Sequence, residues 1–248
     1  MSVTIPSTPN ILRFQHTGNI LDGLIGHWAL EDAGITQTDS LGLNPMTQYG
    51  TVQTQQTGKF NYGITFNNID RGVIRIPGTI VNGKIIDKIT VSFWIKLDSL
   101  PTEAGAFFQI IYGSSTYGGS QAPIQCYISS SSDRMVFGLN QRDNVNKSSI
   151  STVITNKTSF FHVFLISTGI GGTTKIYFNN VDESYTTGSL TDNIMQIDNL
   201  INIDNTGNLG SSPIIGTIDD ICIFNRALNE DERAYIYNSG IGRTYPFV

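Results

Sequence analysis

The stretch GTIDDICIFNRALNEDERAYIYNSG, residues 216–240, decides the fold. It opens as an apolar, β-branched run, which is strand material. It closes as a short helix. Asn229 stands at the N-cap, Glu232 follows at capping-box spacing, and Glu230, Asp231 and Glu232 place negative charge where the helix dipole favours it. Gly240 is the expected stop. So short a helix is marginal alone and must dock on the sheet that precedes it. Two adjacent carboxylates, Asp219 and Asp220, interrupt the apolar run. They are either catalytic or a metal or hydrogen-bond clasp, because a carboxylate near a core needs donors or a cation.

Outward from this stretch the chain reads as short strands. KITVSFWIKL (88–97) alternates cleanly: Ile89, Val91, Phe93, Ile95 and Leu97 share one face, Thr90, Ser92, Trp94 and Lys96 the other. In GLIGHWAL (23–30), Leu24, Gly26, Trp28 and Leu30 alternate with Ile25, His27 and Ala29. YGITF, GVIRIP, AFFQIIYG and LINID add further strands. IQCYI and RMVFGL flank the turn SSSSD, and FFHVFLIS and TKIYF flank TGIGGT, so two hairpins are expected. Many short strands at this spacing predict an all-β sandwich or jelly roll with one short C-terminal helix. Pro6 and Pro9, with no periodicity around them, make residues 1–19 an extended arm. Residues 20–241 form the domain and 242–248 a tail.

Composition narrows the function. Of 248 residues, 39% are apolar and only 14% charged, which leaves much Ser, Thr, Asn, Gln and Gly for strands and polar loops. A net charge of −5 with thinly scattered Lys and Arg argues against nucleic-acid binding. No run of 18 apolar residues predicts a membrane span. The opening MSVTIPSTPN lacks the basic start and apolar centre of a signal peptide. Cys126 and Cys222 lie in separate apolar segments; they read as buried free thiols, and their spacing offers no zinc site.

Four stretches together resemble the laminin-G-like group of concanavalin A-like jelly rolls: LIGHWALEDAGITQTDSLG; GKFNYGITFNNIDRGVIRIP with ITVSFWIKL; FFHVFLISTGIGGTTKIYFNNVDES; and the opening quotation. The likeness spans about residues 22 to 240. Phe160 stands where the family usually has Trp, and Asn180 where a turn Gly is usual; Asn tolerates the left-handed conformation, so the hairpin survives. Residues 99 to 158 match the family poorly. The resemblance implies a concanavalin A-like jelly-roll β-sandwich. The fold hosts lectins, adhesion modules, virion proteins and some glycosidases, so it does not fix the function.

Strict alternation places Asp219 with Ile221 and Ile223 on the core side of its strand. Two readings stand. Asp219 is a structural calcium ligand with Asp39 and Asn44, since hard oxygens suit that ion, or it accepts backbone N–H bonds and pins the sheet end to the opening loop. His162, within an apolar strand, reads as a satisfied core histidine. Trp94 either stacks on a sugar or packs against the second layer or the helix, and packing is favoured. Tyr112, Tyr117 and Tyr127, beside Gly/Ser loops, are the candidate ligand-binding residues. The Glu-x-Asp-x-x-Glu motif of relatives that cleave β-glucans is missing, so no enzyme is expected.

Two non-enzymatic functions remain. One is a virion structural protein, such as a bacteriophage head-decoration, fibre or tail adhesion component. The other is a glycan- or protein-binding module of an extracellular surface system. A chain starting at Met1 without an export signal, yet of a type usual outside cells, favours the virion. On that reading Ile11, Leu12 and Phe14 anchor the arm on capsid or tail proteins or on another copy in a homo-oligomer, through an added strand. Host cell-surface glycans are a candidate partner, and no nucleic acid or membrane insertion is expected.

Overall fold

Alternating β-branched and aromatic residues set seventeen strands among the residues that the computed structural model describes: 19–67, 72–77, 88–104, 108–113, 123–141, 146–155, 157–192, 201–203 and 214–248. The first six are β1 (Leu24–Trp28), β2 (Thr36–Gln37), β3 (Met46–Tyr49), β4 (Gln53–Thr57), β5 (Tyr62–Phe66) and β6 (Val73–Ile76). Then come β7 (Lys88–Leu97), the single turn α1 (Pro101–Ala104), β8 (Phe108–Gly113), β9 (Ile124–Ile128), β10 (Arg134–Asn140) and β11 (Asn146–Val153). The last are β12 (Phe161–Thr168), β13 (Thr174–Phe178), β14 (Val181–Asp182), β15 (Ser184–Thr186), β16 (Ile201–Ile203), β17 (Gly216–Phe224) and the helix α2 (Glu230–Tyr237).

One sheet runs β14-β13-β12-β7-β17-β5-β4, with β1 also on β17; the other runs β15-β11-β10-β9-β8-β16-β6-β3-β2. The fold is the expected all-β jelly-roll sandwich. Both predicted hairpins form, β9 with β10 and β12 with β13. Asn180 takes a left-handed φ of 65° in the turn after β13, as its identity allows. The helix begins at Asn229, whose side chain accepts from the Glu232 N–H, while the Glu232 carboxylate accepts from the Asn229 N–H. That is the capping box.

Between the sheets, Ile89, Val91, Phe93, Ile95 and Leu97 of β7 meet Ile74, Ile111, Cys126 and Phe137 from the second sheet. The opposite face of β7 is buried too. Thr90, Ser92 and Trp94 lie under a third layer made by α2 and the chain end, where Leu228, Ile236 and Phe247 pack on Phe164, Cys222 and Phe224. This explains how a helix of eight residues persists: Ile236 is fully buried, and Arg233 lies 4.0 Å from the Tyr177 ring. Both cysteines are buried free thiols.

Residues 242–248, read from sequence as a tail, belong to this third layer. Phe247 is 1% exposed, and its carbonyl accepts from the Tyr235 hydroxyl at 2.8 Å. The arm residues Ile11, Leu12 and Phe14 lie outside the described residues. Replacing Phe247 with Ala is expected to destabilise the domain by about 3 kcal/mol in urea titration, the scale for emptying a buried aromatic site. A dispensable tail would leave the midpoint unmoved.

Candidate functional site

Strand β17 changes neighbours along its length. Gly216, Thr217 and Ile218 pair with β5, and Ile221 to Phe224 pair with β1. β7 flanks the other side throughout, with a bulge between Asp219 and Cys222. The extra residue sits there, and Asp220 takes a left-handed φ of 50°, which Asp tolerates better than most residues. The bulge breaks the simple alternation. Ile218, Ile221 and Ile223 reach the inter-sheet core, while Asp219 lies opposite Trp94 on the outer side. The expectation that Asp219 shares a face with Ile221 and Ile223 is therefore corrected.

The carboxylates fill the seam where β5 gives way to β1. Asp219 Oδ2 accepts from the backbone N–H of Lys59 at 2.7 Å and of Phe60 at 3.0 Å, in the turn before β5. Gly58 makes that approach possible: a Cβ there would lie 2.4 Å from the Tyr62 carbonyl oxygen and 2.6 Å from Asp219 Oδ2. Asp220 reaches the other way. Its Oδ1 lies 2.8 Å from His27 Nε2 on β1 and accepts from the Thr244 hydroxyl at 2.5 Å. His27 Nδ1 lies 2.7 Å from Ser40 Oγ.

Asp39 and Asn44 meet in a separate loop. Asp39 accepts from the N–H groups of His27, Leu41, Leu43 and Asn44, and the Asn44 carbonyl accepts from the buried Trp28 indole at 2.8 Å. Asp219 is bound to a different turn, so the three residues do not share one ligand set. The arrangement seen is the hydrogen-bond clasp, closed on two loops rather than one.

Asp219 overlooks a buried polar cluster beneath α2. Trp94 stacks on Tyr237 at 6.0 Å and lies 4.6 Å from the His162 ring; His162 Nε2 is 2.9 Å from Ser92 Oγ. Lys59 Nζ sits 4.4 Å from the centre of the Trp94 ring and donates to the Gly240 carbonyl. At 1% exposure Trp94 is a packing residue, closed to a sugar. Burial pushes the Asp219 carboxyl up to about 7, against the pull of its N–H donors. Burial and the Lys59 ammonium hold His162 down at about 3.

The open surface with recognition chemistry is the outward face of the second sheet. Direct cross-strand partners form a row: Thr47, Arg75, Asn202, Tyr112, Gln125, Gly138 and Ser148. Tyr127, half-buried, is on the same face two residues along β9 from Gln125. Arg75 lies 4.2 Å over the ring of Tyr49, and its Nε is buried with no hydrogen-bond partner among the described residues. At the far edge Arg134 lies 4.5 Å over Tyr185, which is 70% exposed. Of the three predicted ligand-binding tyrosines, Tyr127 lies on this face, Tyr112 stands in backbone register opposite Gln125, and Tyr117 lies outside the described residues. Sequence reasoning missed Arg75, although the period-two pattern of GVIRIP already set it opposite its apolar neighbours.

The two shifted groups give opposite pH signatures. Folding raises the Asp219 carboxyl from 3.8 to about 7, so its contribution is present below 3.8 and lost as pH rises through 7. Folding lowers His162 from 6.5 to about 3, so its contribution is present above 6.5 and lost as pH falls towards 3. Relative to the wild type, Asp219→Asn should gain stability as pH rises from about 4 to about 7 and stay level above, by up to ~1.4 kcal/mol per pH unit. His162→Gln should instead gain as pH falls below 6.5. Urea titrations across this range check both; profiles parallel to the wild type would contradict the assignment.

Comparison with known proteins agrees with this architecture. No curated protein sequence matches the chain significantly. Domain 4 of AbnA, an extracellular arabinanase from Geobacillus stearothermophilus solved with arabinotriose, superposes with a TM-score of 0.63 at 16% identity, over 89% of this chain and 98% of that one. The binding domain of botulinum neurotoxin serotype D gives 0.66 at 19% identity, over 88% of this chain and 51% of its own. Trypanosoma rangeli sialidase gives 0.66 at 14%, over 89% of this chain and 33% of its own. The chain thus spans nearly all of the arabinanase domain but about half of the toxin domain and a third of the sialidase. At these identities the likeness establishes the fold. A family pattern described as the concanavalin A-like lectin/glucanases superfamily, Laminin_G_3, matches residues 71–232, more than half the chain, and the protein belongs to that family.

Proposed function

We propose that this protein is a non-enzymatic, lectin-like module that binds a saccharide on the outward face of its second sheet, carried on a virus particle. The observation that carries the saccharide site is Arg75. Its guanidinium braces the exposed Tyr49 ring, its Nε has no acceptor among the described residues, and it stands in a cross-strand row with amide, tyrosine and glycine positions. Sugar recognition asks for donors and acceptors held in place beside an aromatic ring, on a surface flat enough to admit the ring of the sugar. Gly138 supplies the flat position. The arabinanase domain of the same fold was solved with arabinotriose, and cell entry of botulinum neurotoxin type C, whose structure is similar to this one, depends on interaction with two ganglioside molecules. Both support a glycan ligand here.

The non-enzymatic part rests on the carboxylates. Glu31 accepts from Asn61 and Tyr62, Glu103 from Leu100 and Lys157, Glu183 from Thr152, and Glu232 caps α2 and pairs with Arg226. Each is committed to a structural contact rather than aimed across a shared cleft, as an acid and its partner must be. The virus particle as carrier rests on the arm of residues 1–19, read from sequence as a strand donated to capsid, tail or a second copy.

Two experiments follow. A glycan array should yield a hit whose affinity, measured by calorimetry, falls tenfold or more in Arg75→Ala and in Tyr127→Ala, with little change in melting temperature. Undiminished binding in both would contradict the site. Deleting residues 2–18 should leave a folded domain that no longer joins its particle or oligomer. Loss of folding would assign the arm to the domain's own core, and normal assembly would end its role.

A further inference from the structure

We infer that His27, Asp220 and Cys222 form a binding site for a zinc-like transition-metal dication, closed by the C-terminal residues. The three side chains come from β1 and β17, and His27 and Asp220 are 193 positions apart, which is why cysteine spacing could not reveal the set. One ligand atom from each, a ring nitrogen, a carboxylate oxygen and a thiol sulfur, lies within 4.8 Å of the others, and all three residues are buried. Nitrogen, oxygen and sulfur in one small site suit zinc or cobalt rather than calcium or magnesium, which take oxygen alone.

Three further observations point the same way. Asp220 Oδ2 is buried without a hydrogen-bond partner among the described residues, on a residue 1% exposed, so the carboxylate has acceptor capacity that the His27 and Thr244 contacts leave unused. His27 Nδ1 lies 2.7 Å from Ser40 Oγ. With Nδ1–H donating to that hydroxyl, the Nε2 lone pair faces Asp220, the orientation a metal-bound histidine requires. Finally, Thr244 Oγ1 stands 2.5 Å from Asp220 Oδ1 and 3.2 Å from His27 Nε2, beside both ligands. Typical zinc–ligand lengths need the 2.8 Å His27–Asp220 contact to open by about half an ångström, a side-chain adjustment. Binding takes the thiol proton of Cys222 into solvent and leaves a thiolate on the metal.

The site has a cover. Tyr245 stacks on the His27 ring at 5.4 Å, and the Phe247 ring meets it edge-on at 6.1 Å. A bound metal would join β1 and β17 through one ion, beneath the chain end.

Cobalt is the probe, because a thiolate on cobalt absorbs in the near ultraviolet. The full chain is refolded from urea with excess cobalt, freed of unbound metal, and measured for cobalt content and absorbance. The expected result is about one cobalt per chain, as one closed three-ligand site requires, with a thiolate-to-cobalt band that zinc bleaches. Cys222→Ser should lose the band and Cys126→Ala should keep it. If Cys222→Ser does not refold, the wild type decides alone: zinc should raise its melting temperature and a chelator should reverse the rise. Retention of under about a tenth of an equivalent, a band that survives Cys222→Ser, or a melting temperature indifferent to zinc overturns the inference.

Discussion

Everything around β17 depends on how a strand can exchange one neighbour for another without leaving its backbone unpaired. β5 supplies hydrogen bonds to the first third of β17 and β1 to the last, and the gap between them falls at Asp219 and Asp220. Unsatisfied backbone donors in a buried sheet would destabilise it severely. Asp219 meets that need for two backbone donors of the adjoining turn, while Asp220, on the other side of the same peptide, ties in side chains. Asp219 receives the turn that leads into β5, and Asp220 receives the histidine of β1 and the threonine of the chain end. The bulge is the device that lets neighbouring side chains serve both. The adjacent acids are thus a buried joint between strands distant in sequence.

The layers packed around that joint decide which faces stay open. The first sheet is covered on both faces, by the second sheet and by α2 with residues 242–248. Aromatic groups on it, Trp94 above all, are consumed in packing. The outward face of the second sheet, where Arg75, Gln125 and Tyr127 lie, has no such third layer over it among the described residues, and there the proposed saccharide site is placed. The division of labour is physical: one sheet holds the joint, and the other presents a surface.

Much of this was legible in the residues. The alternation in KITVSFWIKL gave the core face of β7 correctly, and the Asn229 to Glu232 spacing gave α2 and its cap. The burial of the other β7 face was legible only in part: a helix too short to stand alone had to dock on a sheet, and Trp94 favoured packing, but the polar Thr90 and Ser92 did not say that this face received it. The facing of Asp219 failed for a different reason. Alternation assumes an unbroken ladder, and one residue at left-handed φ shifts everything beyond it. The contacts of Asp220 with His27 and Thr244 are long-range, so no spacing rule reaches them. Phe247 in the third layer was hidden in the same way: an aromatic near a chain end carries no sign of where it packs.

The most direct test is amide hydrogen exchange at Lys59 and Phe60, read by NMR in the wild type and in Asp219→Ala. Both amides lie in a turn outside any strand, and the structure gives each the same acceptor, Asp219 Oδ2. If Asp219 is half of the joint, these two amides exchange in the wild type as slowly as amides of β7, opening only with most of the domain. In Asp219→Ala their protection collapses while that of β7 falls only by the loss in global stability. Fast exchange at Lys59 and Phe60 in the wild type, or protection unchanged in the variant, would contradict the account.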